Sequence, residues 1–196
     1  MKPRFGTIVM AAAIFASALL FATLVTQGFA PLWRTEIGQR ALNRWLQMRA
    51  PVAKGAAMAR SGEALPRIEL PDLQGARIPL PQAYLGKPLL INLWATWCGP
   101  CLREMPALDA LAATHSVRVV GVAWDEAADV RDFVQRRPPG YPVLLAEPTR
   151  DNATVFGNPA GVLPYTLLVD ARGMVLRQHI GPFKSADELA KWVKVE

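Results

Sequence analysis

The chain has 196 residues, 52% of them hydrophobic and 19% charged. That is apolar enough to exclude a long disordered protein, and it suits about one folded domain. Its two cysteines exclude a disulfide-stapled mini-protein and a zinc site of four thiolates.

The net charge of +6 is not spread evenly. Residues 1–60 hold eight basic side chains (Lys2, Arg4, Arg34, Arg40, Arg44, Arg49, Lys54, Arg60) and one acid, Glu36. The other fourteen basic residues are matched by fifteen acids. A basic face across a domain, which polyanion binding needs, is therefore missing, and no nucleic-acid partner is expected.

Phe5 to Trp33 contains no charged residue over 29 positions. A membrane span needs about 20 apolar residues. The expected anchor runs over residues 8–28, with 1–7 in the cytoplasm. Lys2 and Arg4 ahead of it favour that orientation, and the rest of the chain then lies outside. A cleavable signal peptide is the alternative, with Gly28-Phe29-Ala30 as its cleavage site. A buried core helix would need a surrounding bundle that the sequence does not supply. Residues 29–61 read as a juxtamembrane arm. Ile37, Ala41, Trp45 and Met48 recur at helical spacing, as a helix lying on the bilayer or as a solvated linker.

Residues 62–196 alternate strands and helices. Residues 68–70 and 76–80 predict a hairpin around Gln74-Gly75. The near-continuous apolar run 88–95 predicts a central strand buried on both faces. A helix to about Thr114, a β-branched strand over 117–123 and a helix over 126–136 follow. A short strand over 141–146 and a helical turn over 152–156 come next. Strands at 164–170 and 174–180 flank a turn at Ala171-Arg172-Gly173. Ser185-Ala186-Asp187-Glu188 is a capping box that opens a last helix. This order predicts an α/β sheet with one antiparallel edge pair.

Both cysteines fall in one C-x-x-C, Cys98-Gly99-Pro100-Cys101, after the buried strand and at the start of a helix. Free N–H groups and the positive dipole end favour an anion there, so Cys98 is expected as an accessible thiolate. The thiolate is the form that attacks disulfides. Cys101, one turn inward, is expected to be more enclosed and to resolve the mixed disulfide. Pro100 is tolerated in a first turn, and Trp97 is expected to cover the site. A static bridge over so short a loop removes little chain entropy and would be a poor staple. Copper or zinc on Cys98 and Cys101 would need further ligands. His115 lies about 14 residues past Cys101, roughly 21 Å along a helix, and cannot reach. His179 reads as an ordinary strand histidine. A non-enzymatic copper chaperone stays as the reading from a different class. Glu104 shares a helix face with Cys101, either to exchange a proton with the thiol or as a first-turn acid complementing the dipole. Pro106 is expected to kink the helix. Pro164 reads as a strand-start proline.

Residues 92–106, Asn-Leu-Trp-Ala-Thr-Trp-Cys-Gly-Pro-Cys-Leu-Arg-Glu-Met-Pro, resemble the active-site segment of thioredoxin-fold proteins. More narrowly they resemble the membrane-anchored TlpA/ResA-like thiol–disulfide oxidoreductases. Residues 157–170 are similar to that family's cis-proline loop and following strand. The resemblance implies a thioredoxin-like mixed sheet flanked by helices behind one transmembrane helix. It assigns Cys98 as attacking and Cys101 as resolving cysteine, with Gly99 and Pro100 forming the active-site loop. It implies that Pro164 is cis, that the Leu163 backbone pairs with an extended substrate, and that Glu104 tunes the buried thiol. Asn92 stands where cytoplasmic thioredoxin has an aspartate, which favours a proton route through Glu104. Tyr165-Thr166 lacks the acid that follows the cis-proline in the cytochrome c maturation branch, so a role in haem attachment stays open.

The resemblance further implies a bacterial inner-membrane protein with its domain in the periplasm, without a cofactor. It would reduce disulfides in exported proteins and take electrons from a membrane donor of the DsbD/CcdA type. Gly99-Pro100 resembles the reducing end of the family, and a disulfide-donating oxidant is the alternative. Peroxiredoxins carry Pro-x-x-x-Thr/Ser-x-x-Cys, and here Ile91 and Ala95 stand at the Pro and Thr/Ser positions, which disfavours a peroxidase.

Overall fold

The computed structural model describes residues 58–194. The expected span over 8–28 and most of the arm lie outside them. Ala59 already belongs to the domain: it is buried, its N–H donates to Val155 O at 2.9 Å, and its carbonyl accepts from Gln178 Nε2 at 3.0 Å.

The hairpin forms as β1 (Ile68–Pro71) and β2 (Arg77–Leu80), paired antiparallel. Asp72 shapes its turn by accepting from Gln74 N and Ala76 N, each at 2.9 Å. β3 (Leu89–Trp94) is buried at all six positions, which is what its unbroken apolar run requires. After it come α1 (Gly99–Ala113), β4 (Arg118–Trp124), α2 (Ala127–Arg136) and β5 (Val143–Ala146). α3 (Arg150–Val155), β6 (Tyr165–Val169), β7 (Val175–Ile180) and α4 (Ala186–Trp192) complete the domain. Pro106 sits inside α1, which continues past it to Ala113.

The five-stranded sheet has the order β5-β4-β3-β6-β7. β3, β4 and β5 are parallel, joined by helical crossovers as parallel neighbours must be. β6 is antiparallel to both β3 and β7. The single antiparallel edge pair expected from sequence is thus an underestimate, because the pairing reaches the central strand. The connection from β5 through α3 brings the chain back to the end where β3 finishes, so β6 has to run the opposite way.

Leu90 and Leu168, in register across β3 and β6, pack with Leu108 and Leu111 of α1 and Leu189 of α4. The next pair, Ile91 and Leu167, joins the larger cluster with Val120, Val122, Leu70, Leu80 and Val130. The last helix is capped as expected, Ser185 Oγ accepting from Glu188 N at 3.2 Å. The reciprocal bond goes to the N–H of Lys184, one residue before the cap.

Candidate active site

α1 begins where the sheet ends. Cys98 is its N-cap in an extended conformation, and its Sγ accepts from the Cys101 N–H at 3.3 Å. Pro100 occupies the first turn, where its missing N–H leaves no helical bond unmade. Cys98 and Cys101 are joined as a disulfide. Cys101 is fully buried, as expected. Cys98 is only 3% exposed, far less open than the sequence reading expects. It belongs to the same buried cluster as Trp94, Ala95 and Leu163. Trp97 is 63% exposed and stands out beside the disulfide in sequence.

The segment leading to Cys98 is pinned by two residues that the sequence reading gave no role. Thr96 donates both its N–H, at 2.9 Å, and its hydroxyl, at 2.6 Å, to Asp125 Oδ2. The parallel register pairs Trp94 with Ala123, so residues 96 and 125 lie side by side just past the ends of β3 and β4. The equal reach of the two apolar runs was the available signal.

The Leu163–Pro164 bond is cis, as the resemblance implies, and a second cis bond precedes Pro81. Pro164 leads into Tyr165, which pairs with Leu93 near the end of β3, so the proline loop arrives beside the start of α1. Buried Asn158 holds this loop: its Nδ2 donates to Val162 O at 2.9 Å and its Oδ1 accepts from Val162 N at 3.0 Å. Gly161 has φ +62, and a Cβ there would lie 2.2 Å from Trp124 Cη2. Gly161→Ala is therefore expected to cost about 2 kcal/mol or more, read as a lower urea midpoint.

Glu104 lies in the second turn of α1 and is buried, so the reading as a first-turn acid does not hold. Its Oε1 accepts from Asn92 Nδ2 at 2.7 Å and its Oε2 from Phe183 N at 3.3 Å. Asn92 also donates to Thr166 Oγ1 at 3.1 Å. Burial pushes the carboxyl up to about 7, against the pull of the Asn92 and Phe183 bonds. It shares a helix face with Cys101, so a group that gains or loses a proton near neutrality sits one turn from the enclosed sulfur. Asn92, Thr166 and the Phe183 N–H come from three separate elements, and of these the sequence reading gave weight only to Asn92.

The sequence profile of the AhpC/TSA family matches residues 61–178. The chain belongs to that family. The chain is similar to the thiol:disulfide interchange protein DsbE of Allochromatium vinosum, 34% identical over 119 residues, covering 60% of this chain and 65% of the relative. The thiol–disulfide oxidoreductase ResA of Bacillus anthracis is 31% identical over 137 residues, 68% of this chain and 76% of the relative. A crystal structure of a candidate DsbE from Chlorobium tepidum superposes with a TM-score of 0.60 at 28% identity, covering 68% of this chain and 94% of that one. The family resemblance read from residues 92–106 and 157–170 is thus shown, as is the thioredoxin-like mixed sheet. The chain spans 65% of the length of the Allochromatium relative, just under two thirds.

Proposed function

We propose that this protein is a thiol–disulfide oxidoreductase that reduces disulfides in exported proteins. The observation that carries it is the Cys98–Cys101 pair, bonded across the first turn of α1 with Cys98 as N-cap, beside a cis-proline loop. A sulfur at that place faces a backbone N–H and the positive helix end, both of which stabilise a thiolate.

In the reduced form the Cys98 thiolate attacks one sulfur of a partner disulfide. That bond breaks, a mixed disulfide forms, and the departing thiolate takes a proton. Cys101 then attacks the Cys98 sulfur, forming the intramolecular disulfide and releasing the second partner thiol. Two electrons pass from the dithiol to the partner. Glu104 accepts the Cys101 proton as that thiol becomes the nucleophile. Leu163 and Pro164 seat the partner's extended segment next to Cys98, and Trp97 flanks it. A membrane donor of the DsbD/CcdA type returns the two electrons. Residues 8–28 hold the chain in the bacterial inner membrane with the domain in the periplasm, a reading supported by the uncharged stretch behind Lys2 and Arg4.

The direction of transfer is set by the reduction potential. A glutathione redox titration of the full chain is expected to place the midpoint well below about −150 mV, toward the thioredoxin value of about −270 mV. A midpoint above about −150 mV would make it a disulfide donor instead.

A further inference from the structure

The turn after β7 touches both halves of the site. Gly181, at φ +92, donates its N–H to the Pro164 carbonyl at 2.9 Å. Two residues on, the Phe183 N–H donates to Glu104 Oε2 at 3.3 Å. The turn is braced from β7 and α4. The Phe183 ring stacks on His179, with centroids 4.1 Å apart and planes 13° apart, and meets Trp192 at 5.3 Å. Across β6–β7 His179 pairs with Thr166, which accepts from Asn92, the other donor to Glu104. Of the two groups that hold the carboxyl, Phe183 therefore packs directly on His179 and Asn92 is linked to it through Thr166, and the reaction does not otherwise use this histidine.

We propose that the Gly181–Phe183 turn, braced by His179, is the positioning element of the site: it fixes the Glu104 carboxyl and ties it to the Pro164 carbonyl, where the partner is seated. The proposal rests on reading the dithiol as an exchange centre. Seating a partner on the proline loop and shifting the proton of Glu104 then act on one short piece of backbone.

Facing Glu104 are Asn92 from β3, the Phe183 N–H, Cys101 on its own helix, and the buried Tyr141 hydroxyl, whose ionisation Glu104 opposes. Asp109 opposes it too, from α1. His179 acts only through the turn and the Thr166 pair. An N–H donated to a carboxylate favours its ionised form, so loosening the turn raises the proton affinity of Glu104.

The test is a pH titration of the oxidised full-length chain, carboxyl-labelled with carbon-13 at glutamate and followed by NMR. His179→Ala is expected to raise the Glu104 proton affinity about tenfold, moving its inflection upward from the neighbourhood of pH 7. In the unsubstituted chain the amide protons of Phe183 and Gly181 are both expected to shift with the Glu104 inflection. An unchanged inflection in His179→Ala, or a Phe183 amide that stays flat while Glu104 titrates, overturns the proposal. A Gly181 amide that stays flat overturns the tie to Pro164. Should His179→Ala fail to fold, the two amides of the unsubstituted chain decide the matter alone. The titration does not use exchange activity, so an inactive Cys98 would defeat the functional reading while leaving this result to stand or fall by itself.

Discussion

Cys98→Ala is expected to lose all catalysed disulfide reduction, while Cys101→Ala keeps the first step and stalls. In the second variant the Cys98 thiolate still attacks, but nothing displaces the partner from the mixed disulfide. A covalent adduct on Cys98 should therefore accumulate and be visible as added mass, with the attached peptide naming the partner. The structure supports this order of attack by degree only: Cys98 keeps a 3% opening where Cys101 has none. An adduct on Cys101 in Cys98→Ala, with none on Cys98 in the converse variant, would reverse the two roles. The narrow opening adds a kinetic expectation. Small reagents should reach Cys98 in the reduced chain faster than folded proteins that present no extended segment.

The second large effect concerns pH. Burial lifts Glu104 from an ordinary 4.5 to about 7, so the folded chain holds its proton where the unfolded chain has released it. Between these values the native state binds more protons, and stability must fall as pH rises. The favourable contribution is complete below about pH 4.5 and gone above about pH 7, a change of about 3 kcal/mol. Glu104→Gln cannot ionise. It leaves one of the two donors, Asn92 Nδ2 or the Phe183 N–H, facing an amide NH₂, so it begins less stable at low pH. Its urea-unfolding free energy should then lie flat across the window, and the gap to the native chain should narrow by about 3 kcal/mol between pH 4.5 and pH 8. Parallel curves for the two proteins would show that Glu104 titrates elsewhere.

The same carboxyl shows where reading the sequence stops. Its spacing from Cys101 placed it on the right helix face, yet that spacing fitted a dipole-complementing acid equally well. The choice between them is made by Asn92, twelve residues earlier in a strand, and by a backbone N–H 79 residues later. Partners so remote along the chain leave no local pattern.

Asn158 sat within the segment that resembles the proline loop, but its clamp on Val162 depends on a buried side chain closing on its own loop. Asp125 and Thr96 meet only because two parallel strands keep register. The low exposure of Cys98 has a similar cause. A helix start predicts charge and donors, whereas exposure is set by the buried cluster that Cys98 shares with residues distant in sequence, such as Leu163.

Local patterns were enough to specify the elements, the dithiol at a helix start and the family. Each rests on short-range rules: apolar periodicity, capping chemistry, and a motif read within about fifteen residues. Tertiary structure alone decided that β6 runs antiparallel to β3. That pairing carries Pro164 to the dithiol, and the turn after β7 with it to Glu104. Strand direction in a sheet is fixed by which surfaces pack, and the apolar run of β6 would read the same whichever way it was laid down.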